Sequence, residues 1–491
     1  MSDVFHPGPL LMVDIPGKTL EPATAEFLRR ERIRAVCLFR KNLGTEAEVR
    51  ALIQDLRALM GPTALIGLDQ EGGSVVRSTF LPQAPSAMAL GASGDESLAE
   101  GVGAAVARGL KSLGVNWNFA PVVDVNNNPA NPVIAERAFS DDPDTVARLA
   151  GAWMRGSLRE GVACCVKHFP GHGDTHVDSH LALPTVDKSR AELDALELRP
   201  FKALCASAPA VMTAHIVYPQ IDPEHPATLS PKVLKGILRD EWGYDGVVIT
   251  DALMMKAIAE RYGYTRAPVM ALEAGADLVL AQGSLAEQQQ AVDALREAFA
   301  SGRLSPAQGE RAQARLDRLA QAYPCAQGDY PPAQREADDA LMHRAWAQGL
   351  LALRGARAPG RDTPLRVIVQ ADVPTDMVSE AGPTALQALA LFDGFRDVKR
   401  LVLDDIDTLR WAQVPQDGRV NVLVSTRRHR YEGALDWRPD LHLALWNPFQ
   451  ALDVPGPALV TWGYAQGALR AAQAWLEGRE HAPGHALATL N

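Results

Sequence analysis

The feature that most restricts how this chain can fold is an alternation. Between residues 9 and 282, short runs rich in Val, Ile and Leu recur, each separated from the next by a longer stretch with helical spacing. That is the pattern of βα units on a parallel sheet. The expected strands are 9–15, 34–39, 64–69, 116–125, 162–169, 210–216, 246–252 and 276–282. About eight such strands close a (β/α)8 barrel of the TIM type, although an open doubly wound sheet uses the same alternation. The polar residues separate the two. Runs end in Asp69-Gln-Glu-Gly-Gly, Asp124-Val-Asn-Asn-Asn, Lys167-His-Phe-Pro-Gly-His-Gly, His215 and Asp251. A barrel gathers reactive groups at the ends of many strands, whereas an open sheet concentrates its ligand at one switch point, so a barrel is expected.

Residues 284–323 read as two helices split by Gly302 and Pro306, and the turn-rich stretch Pro324 to Pro332 follows. The expected division is therefore a catalytic barrel with trailing helices over 1–325 and a linker helix with a smaller α/β sandwich over 326–491. Strands in the second part are expected at 365–370, 398–404, 419–426, 441–446 and 458–463. It carries no comparably dense cluster of Asp, His and Lys.

Composition excludes several function classes. The formal net charge is −10, and no long basic run occurs, so nucleic acid is not an expected partner. Neither a secretory leader nor an apolar run of membrane-spanning length is apparent. The 5 cysteines are odd in number and lie mostly in apolar runs, which is expected of reduced core residues in a cytoplasmic protein. Oligomeric state is left open.

The densest chemistry lies in Lys167 to His180. His168, His172, His176 and His180 are spaced by four, but Pro170, Gly171 and Gly173 forbid the helix that would align them as metal ligands. Asp174 and Asp178 could complete a histidine/carboxylate set, yet no spacing forces one, and no metal or cofactor is assigned. Asp178 and His180 are two apart, so in extended chain they share a side. The carboxylate can then orient the imidazole as an acid/base working near neutral pH, or the two can simply satisfy a turn. Asp251 ends an apolar run before Ala-Leu-Met-Met-Lys-Ala-Ile, where it can serve as a helix N-cap or as a reactive carboxylate at a barrel strand end.

These residues carry a resemblance. The segments GLDQEGGSVVR (67–77), NPVIAERAFSDDP (131–143), KHFPGHGDTHVDSH (167–180), TAHIVYPQIDPEHPATLS (213–230) and VITDALMM (248–255) resemble, in order, the family-3 glycoside hydrolases, in their bacterial β-N-acetylglucosaminidase branch. The resemblance implies that Asp251 is the nucleophile of a covalent glycosyl-enzyme intermediate, and that His180 is the general acid/base, partnered by Asp178. It further implies that Asp69, Arg77, Arg137, Lys167 and His168 hold the sugar. The chemistry is coherent. A retaining glycosidase needs one group to attack the anomeric carbon and another to protonate the leaving oxygen and then activate water. A histidine in the second role departs from the usual carboxylate pair. Two positions depart from the family pattern, Ser74 where Arg is frequent and Ala138 where Ser is frequent. The stretch 458–484 resembles, more weakly, part of the family's C-terminal sandwich.

The function implied is removal of a terminal N-acetylglucosamine from peptidoglycan or chitin fragments, with a muropeptide or chito-oligosaccharide as the small carbohydrate partner. Open alternatives are a β-glucosidase, a phosphorylase that uses phosphate in place of water, and an inactive sugar-binding protein.

Overall fold

The computed structural model describes residues 5–177, 182–372, 384–431 and 436–490. Eight parallel strands form the first unit: β1 (Leu11–Val13), β2 (Ala35–Cys37), β3 (Leu65–Leu68), β4 (Trp117–Asn118), β5 (Ala163–Phe169), β6 (Ala210–Thr213), β7 (Val247–Ile249) and β8 (Val279–Ala281). Each pairs with its neighbour in chain order, and β1 pairs with β8 through Leu11↔Val279 to Val13↔Ala281. A parallel bridge, Ile249↔Leu278, joins β7 to the entry of β8 and completes the ring. The chain is a TIM-type barrel followed by a second α/β domain.

Every residue of these eight strands is buried, which is why their sequences do not alternate between apolar and polar residues. The helices between them show the complementary pattern. Glu46–Met60, for example, buries Val49, Leu52, Ile53 and Leu56 along one stripe. It begins at a capping box in which Thr45 and Glu48 satisfy each other's backbone donors. The two helices expected in 284–323 are Leu285–Ala300 and Pro306–Ala322.

The fourth strand differs from expectation. The apolar stretch 116–125 yields only two ladder residues, because Pro121 has no N–H to give and the chain beyond it holds only the single bridge Val122↔Lys167.

Helix Pro332–Gly349 leads into the second domain, a six-stranded sheet of β9 (Leu351–Leu353), β10 (Leu365–Gln370), β11 (Val398–Leu403), β12 (Val420–Ser425), β13 (Leu441–Ala444) and β14 (Ala458–Val460). Its order is β11-β10-β12-β13-β14-β9, all parallel except the antiparallel edge strand β9. Alternation sorts its side chains: Val367, Val369, Val422 and Val424 join Trp346 and the helix Gln466–Leu476, while Ile368 and Leu423 join Ile406, Leu409 and Trp437 on the other face. The first of these clusters also contains Val75, Met88, Ala89, Ala92, Val133, Ile134 and Ala138 of the barrel, so one apolar core spans both domains.

Candidate active site

At the C-terminal mouth of the barrel lies a cavity of about 490 Å³. Asp69, Arg77, Arg137, Lys167, His168 and Asp251 all line it, together with Glu71, Phe39, Val75, Val133 and His172 among others. Six residues named from the sequence thus converge from the ends of β3, β5 and β7 and from the loop after β4. Asp178 and His180 lie outside the described residues.

The polar floor is an ionic lattice centred on Lys167, which is 2% exposed. Its Nζ donates to Asp69 Oδ1 at 2.7 Å and stands 2.6 Å from Glu71 Oε1. Arg77 Nη2 donates to the other oxygen of Asp69 at 3.3 Å. Arg137 grips Glu71 with a fork, Nε to Oε2 at 2.9 Å and Nη2 to Oε1 at 2.8 Å. Burial opposes ionisation of Glu71, but the Arg137 guanidinium and the Lys167 ammonium outweigh it and hold the carboxyl well below its ordinary value. Burial likewise opposes the charge on Asp69, and Lys167 and Arg77 overcome it. Lys167 is raised in turn, because its two carboxylates more than offset its desolvation.

His168 is oriented from both sides. Its Nδ1 lies 2.7 Å from Asp124 Oδ2, and its Nε2 lies 3.3 Å from Arg137 Nη2. A guanidinium can only donate, so Nε2 accepts and the ring proton sits on Nδ1 facing Asp124. The other oxygen of Asp124 accepts from the backbone N–H groups of His168 (3.2 Å) and His172 (2.7 Å), which ties the loop after β5 to the end of β4.

Asp251 stands one residue beyond Thr250 at the mouth of β7, half-buried, with Oδ1 accepting from the N–H of Ala252 at 2.7 Å. The helix that follows begins only at Lys256, with Met255 at its N-cap position. Of the two local readings of Asp251, the cap is therefore not realised, and Asp251 is one of the residues that line the cavity. His215, at the end of β6, donates from Nε2 to the carbonyl of Ala252 at 2.9 Å and steadies the backbone beside it.

Three participants were not singled out from the sequence. Glu71 shares an extended stretch with Asp69 at a spacing of two, the same signal read in Asp178 and His180. Asp124 was visible as a loaded strand end without a partner. Gln70, buried, accepts through Oε1 from the N–H groups of Arg77 and Ser78, both at 3.0 Å, and so shapes the turn that carries Arg77. Its own backbone is paired to the side chain of Asn118 of β4. Ser74 donates to Glu136 Oε1 at 2.6 Å, and Ala138 is fully buried in the core shared by the two domains.

Residues 8–319 match the profile described as the Glycosyl hydrolase family 3 N terminal domain. A protein named Beta-hexosaminidase from Alkalilimnicola ehrlichii is 39% identical over 282 residues, 56% of this chain and 80% of its own length. Beta-hexosaminidase A of Pseudoalteromonas piscicida is 36% identical over 331 residues, covering 61% of this chain but only 55% of the longer relative. Among solved structures, a glycoside hydrolase family 3 beta-N-acetylglucosaminidase from Paenibacillus sp. str. FPU-7 superposes with a TM-score of 0.88 at 32% identity, over 99% of this chain and 98% of its own.

Proposed function

Because the chain belongs to glycosyl hydrolase family 3 and is a glycoside hydrolase, we propose that it removes a terminal N-acetylglucosamine from small peptidoglycan or chitin fragments with retention at the anomeric carbon. The observation that carries this reading is the convergence of Asp251 with Asp69, Arg77, Arg137, Lys167 and His168 on one cavity. The lattice supplies donors and acceptors already held in place, so sugar hydroxyls meet fixed partners without reorganisation. Asp251 attacks the anomeric carbon as the glycosidic bond breaks, giving a glycosyl ester, while His180 delivers its proton to the departing oxygen. In the second step His180 takes a proton from water, the water oxygen bonds to the anomeric carbon, and the Asp251 carboxylate leaves. Asp178 orients His180. The parts given to these last two rest on the Asp-Ser-His spacing and the family likeness.

The test compares aryl N-acetylglucosaminide with aryl glucoside, in buffer with and without phosphate. The first substrate should be turned over much the faster, phosphate should leave the product unchanged, and the first-formed sugar should be the β anomer. Asp251→Asn should lose roughly 1000-fold or more in kcat. His180→Ala should lose far more on poor leaving groups than on good ones, since only the former need the proton. An α anomer as first product, or equal losses on both leaving groups, would overturn the mechanism.

A further inference from the structure

The wall of the cavity comes from the barrel but is backed by the second domain. Val75 and Val133 line it, yet both belong to the apolar cluster formed with Leu445, Trp446, Phe449 and Trp462 of the second domain. Between Val133 and Arg137 the chain passes through Ala135 with φ of 41°, a left-handed conformation that a residue with a Cβ rarely adopts. A segment of that kind persists only where its surroundings over-determine it.

Part of the clamp comes from the barrel. Asn131 Oδ1 accepts from the N–H groups of Val133 (2.9 Å) and Ile134 (2.7 Å), and Asn126 Oδ1 accepts from that of Ala135 at 3.1 Å. The rest comes from the second domain. The Val133 carbonyl accepts both from Arg137 Nη1, at 3.1 Å, and from Arg428 Nη2. Glu136 Oε1, fully buried, accepts from Trp446 Nε1 at 2.9 Å as well as from Ser74. The loop that presents Arg428 is itself pinned. Asn447 Nδ2 donates to the Arg428 carbonyl at 2.7 Å, Gln450 Nε2 to that of His429 at 2.6 Å, and Arg427 forks onto Asp407 at 2.7 and 2.8 Å.

We propose that the second domain is a working part of the sugar pocket: Arg428 and Trp446 are positioning residues that fix the Val133–Arg137 segment, so that Arg137 meets the substrate already aimed. Glu71, Val133 and His168 then hold the guanidinium of Arg137 from three sides, and the second domain, through Arg428, holds Val133. The inference rests on the reading that this cavity binds a terminal N-acetylhexosamine.

The test uses the full chain. Arg137 touches the sugar ring before and during reaction, so loosening it should weaken binding of both states alike. Arg428→Met should raise KM for the aryl N-acetylglucosaminide, and the inhibition constant of free N-acetylglucosamine, about tenfold with kcat little changed. Arg428→Lys, which keeps a cationic donor without the guanidinium fork, should recover part of the loss. Trp446→Phe, which keeps the ring and removes the N–H, should shift KM about threefold in the same direction, and it carries the test if Arg428→Met does not fold. In an Arg137→Met background the Arg428→Met defect in KM should vanish, because the two act as a unit; a merely structural loss would persist unchanged. Unaltered KM and inhibition constant in the folded variants, or full additivity with Arg137→Met, would overturn the proposal. If the wild-type protein itself neither binds N-acetylglucosamine nor turns over the aryl substrate, the functional reading fails instead.

Discussion

At the scale of single residues, the site is governed by what burial does to charge. Lys167 holds two carboxylates that would otherwise face each other in a desolvated floor. Lys167→Met should therefore destabilise the fold by about 3–5 kcal/mol, the usual cost of stranding a buried partner, as read by denaturant titration. Acid should act through the same groups. Asp69 and Glu71 have folded values below their unfolded ones, so their contribution is complete at neutral pH and is lost as pH falls below the ordinary carboxylate range. His172 adds a separate window. Burial pushes it down to about 4, whereas the unfolded chain binds its proton near 6.5. Between those values the unfolded state carries the extra proton, so stability must fall as pH falls, by about 3 kcal/mol in all. His442, pushed by burial down to about 3, steepens the same slope. Stability measured from pH 7 to 4 should decline, and His172→Gln should flatten part of that decline; an unchanged slope would show that His172 is not neutral in the folded protein.

Elements decide how those residues meet, and here the sequence was legible in some respects and silent in others. The second-domain strand 365–370 was legible to the residue, because its β-branched centre Val367-Ile-Val369 is buried on both faces of a parallel sheet and stands out as a short apolar run. β9 was not read at all: three residues, Leu351–Leu353, are too few to show a period, and their antiparallel pairing to β14 is a tertiary fact. Asp69, Arg77 and Lys167 could be named from their motifs, but not the pairing of Lys167 with both Asp69 and Glu71, which joins elements 98 residues apart. Arg428 carried no signal, since an arginine-rich loop reads as a solvated surface until the barrel is set beside it. The loop after β5 depends on a close approach that only glycine permits. A Cβ on Gly173 would sit 1.6 Å from the carbonyl oxygen of Val125, while the Gly173 carbonyl is held by Asn131 Nδ2 at 3.0 Å. Gly173→Ala should cost about 1–3 kcal/mol or more and displace the chain that leads to Asp178 and His180. Denaturation and kcat/KM measured together should both fall; loss of stability with intact kcat/KM would show that the loop relaxes without moving its reactive end.

On the scale of the whole molecule, the two domains share a core rather than a seam. Truncation after Gly349 would strip the second-domain half from the cluster that holds Val75, Met88, Ala89, Ala92, Val133, Ile134, Ala138 and Trp346, leaving apolar surface uncovered on the barrel. That fragment should self-associate and bind an apolar dye; a monodisperse, dye-negative barrel would show that the shared core is dispensable. Among the described residues no helix is long and apolar enough to cross a membrane. The ionic lattice has a last consequence, for how a ligand arrives. Among the described residues, Asp69, Glu71 and Asp251, with Asp124 behind them, stand against Arg77, Arg137, Lys167 and Lys256 around the cavity, four acidic groups and four basic. Opposed charges that lie close together cancel within roughly one Debye length of about 10 Å, and a neutral sugar carries no net charge on which a longer-range field could act. Capture of an uncharged glycoside should therefore be set by diffusion and fit alone, with kcat/KM nearly flat as salt is raised.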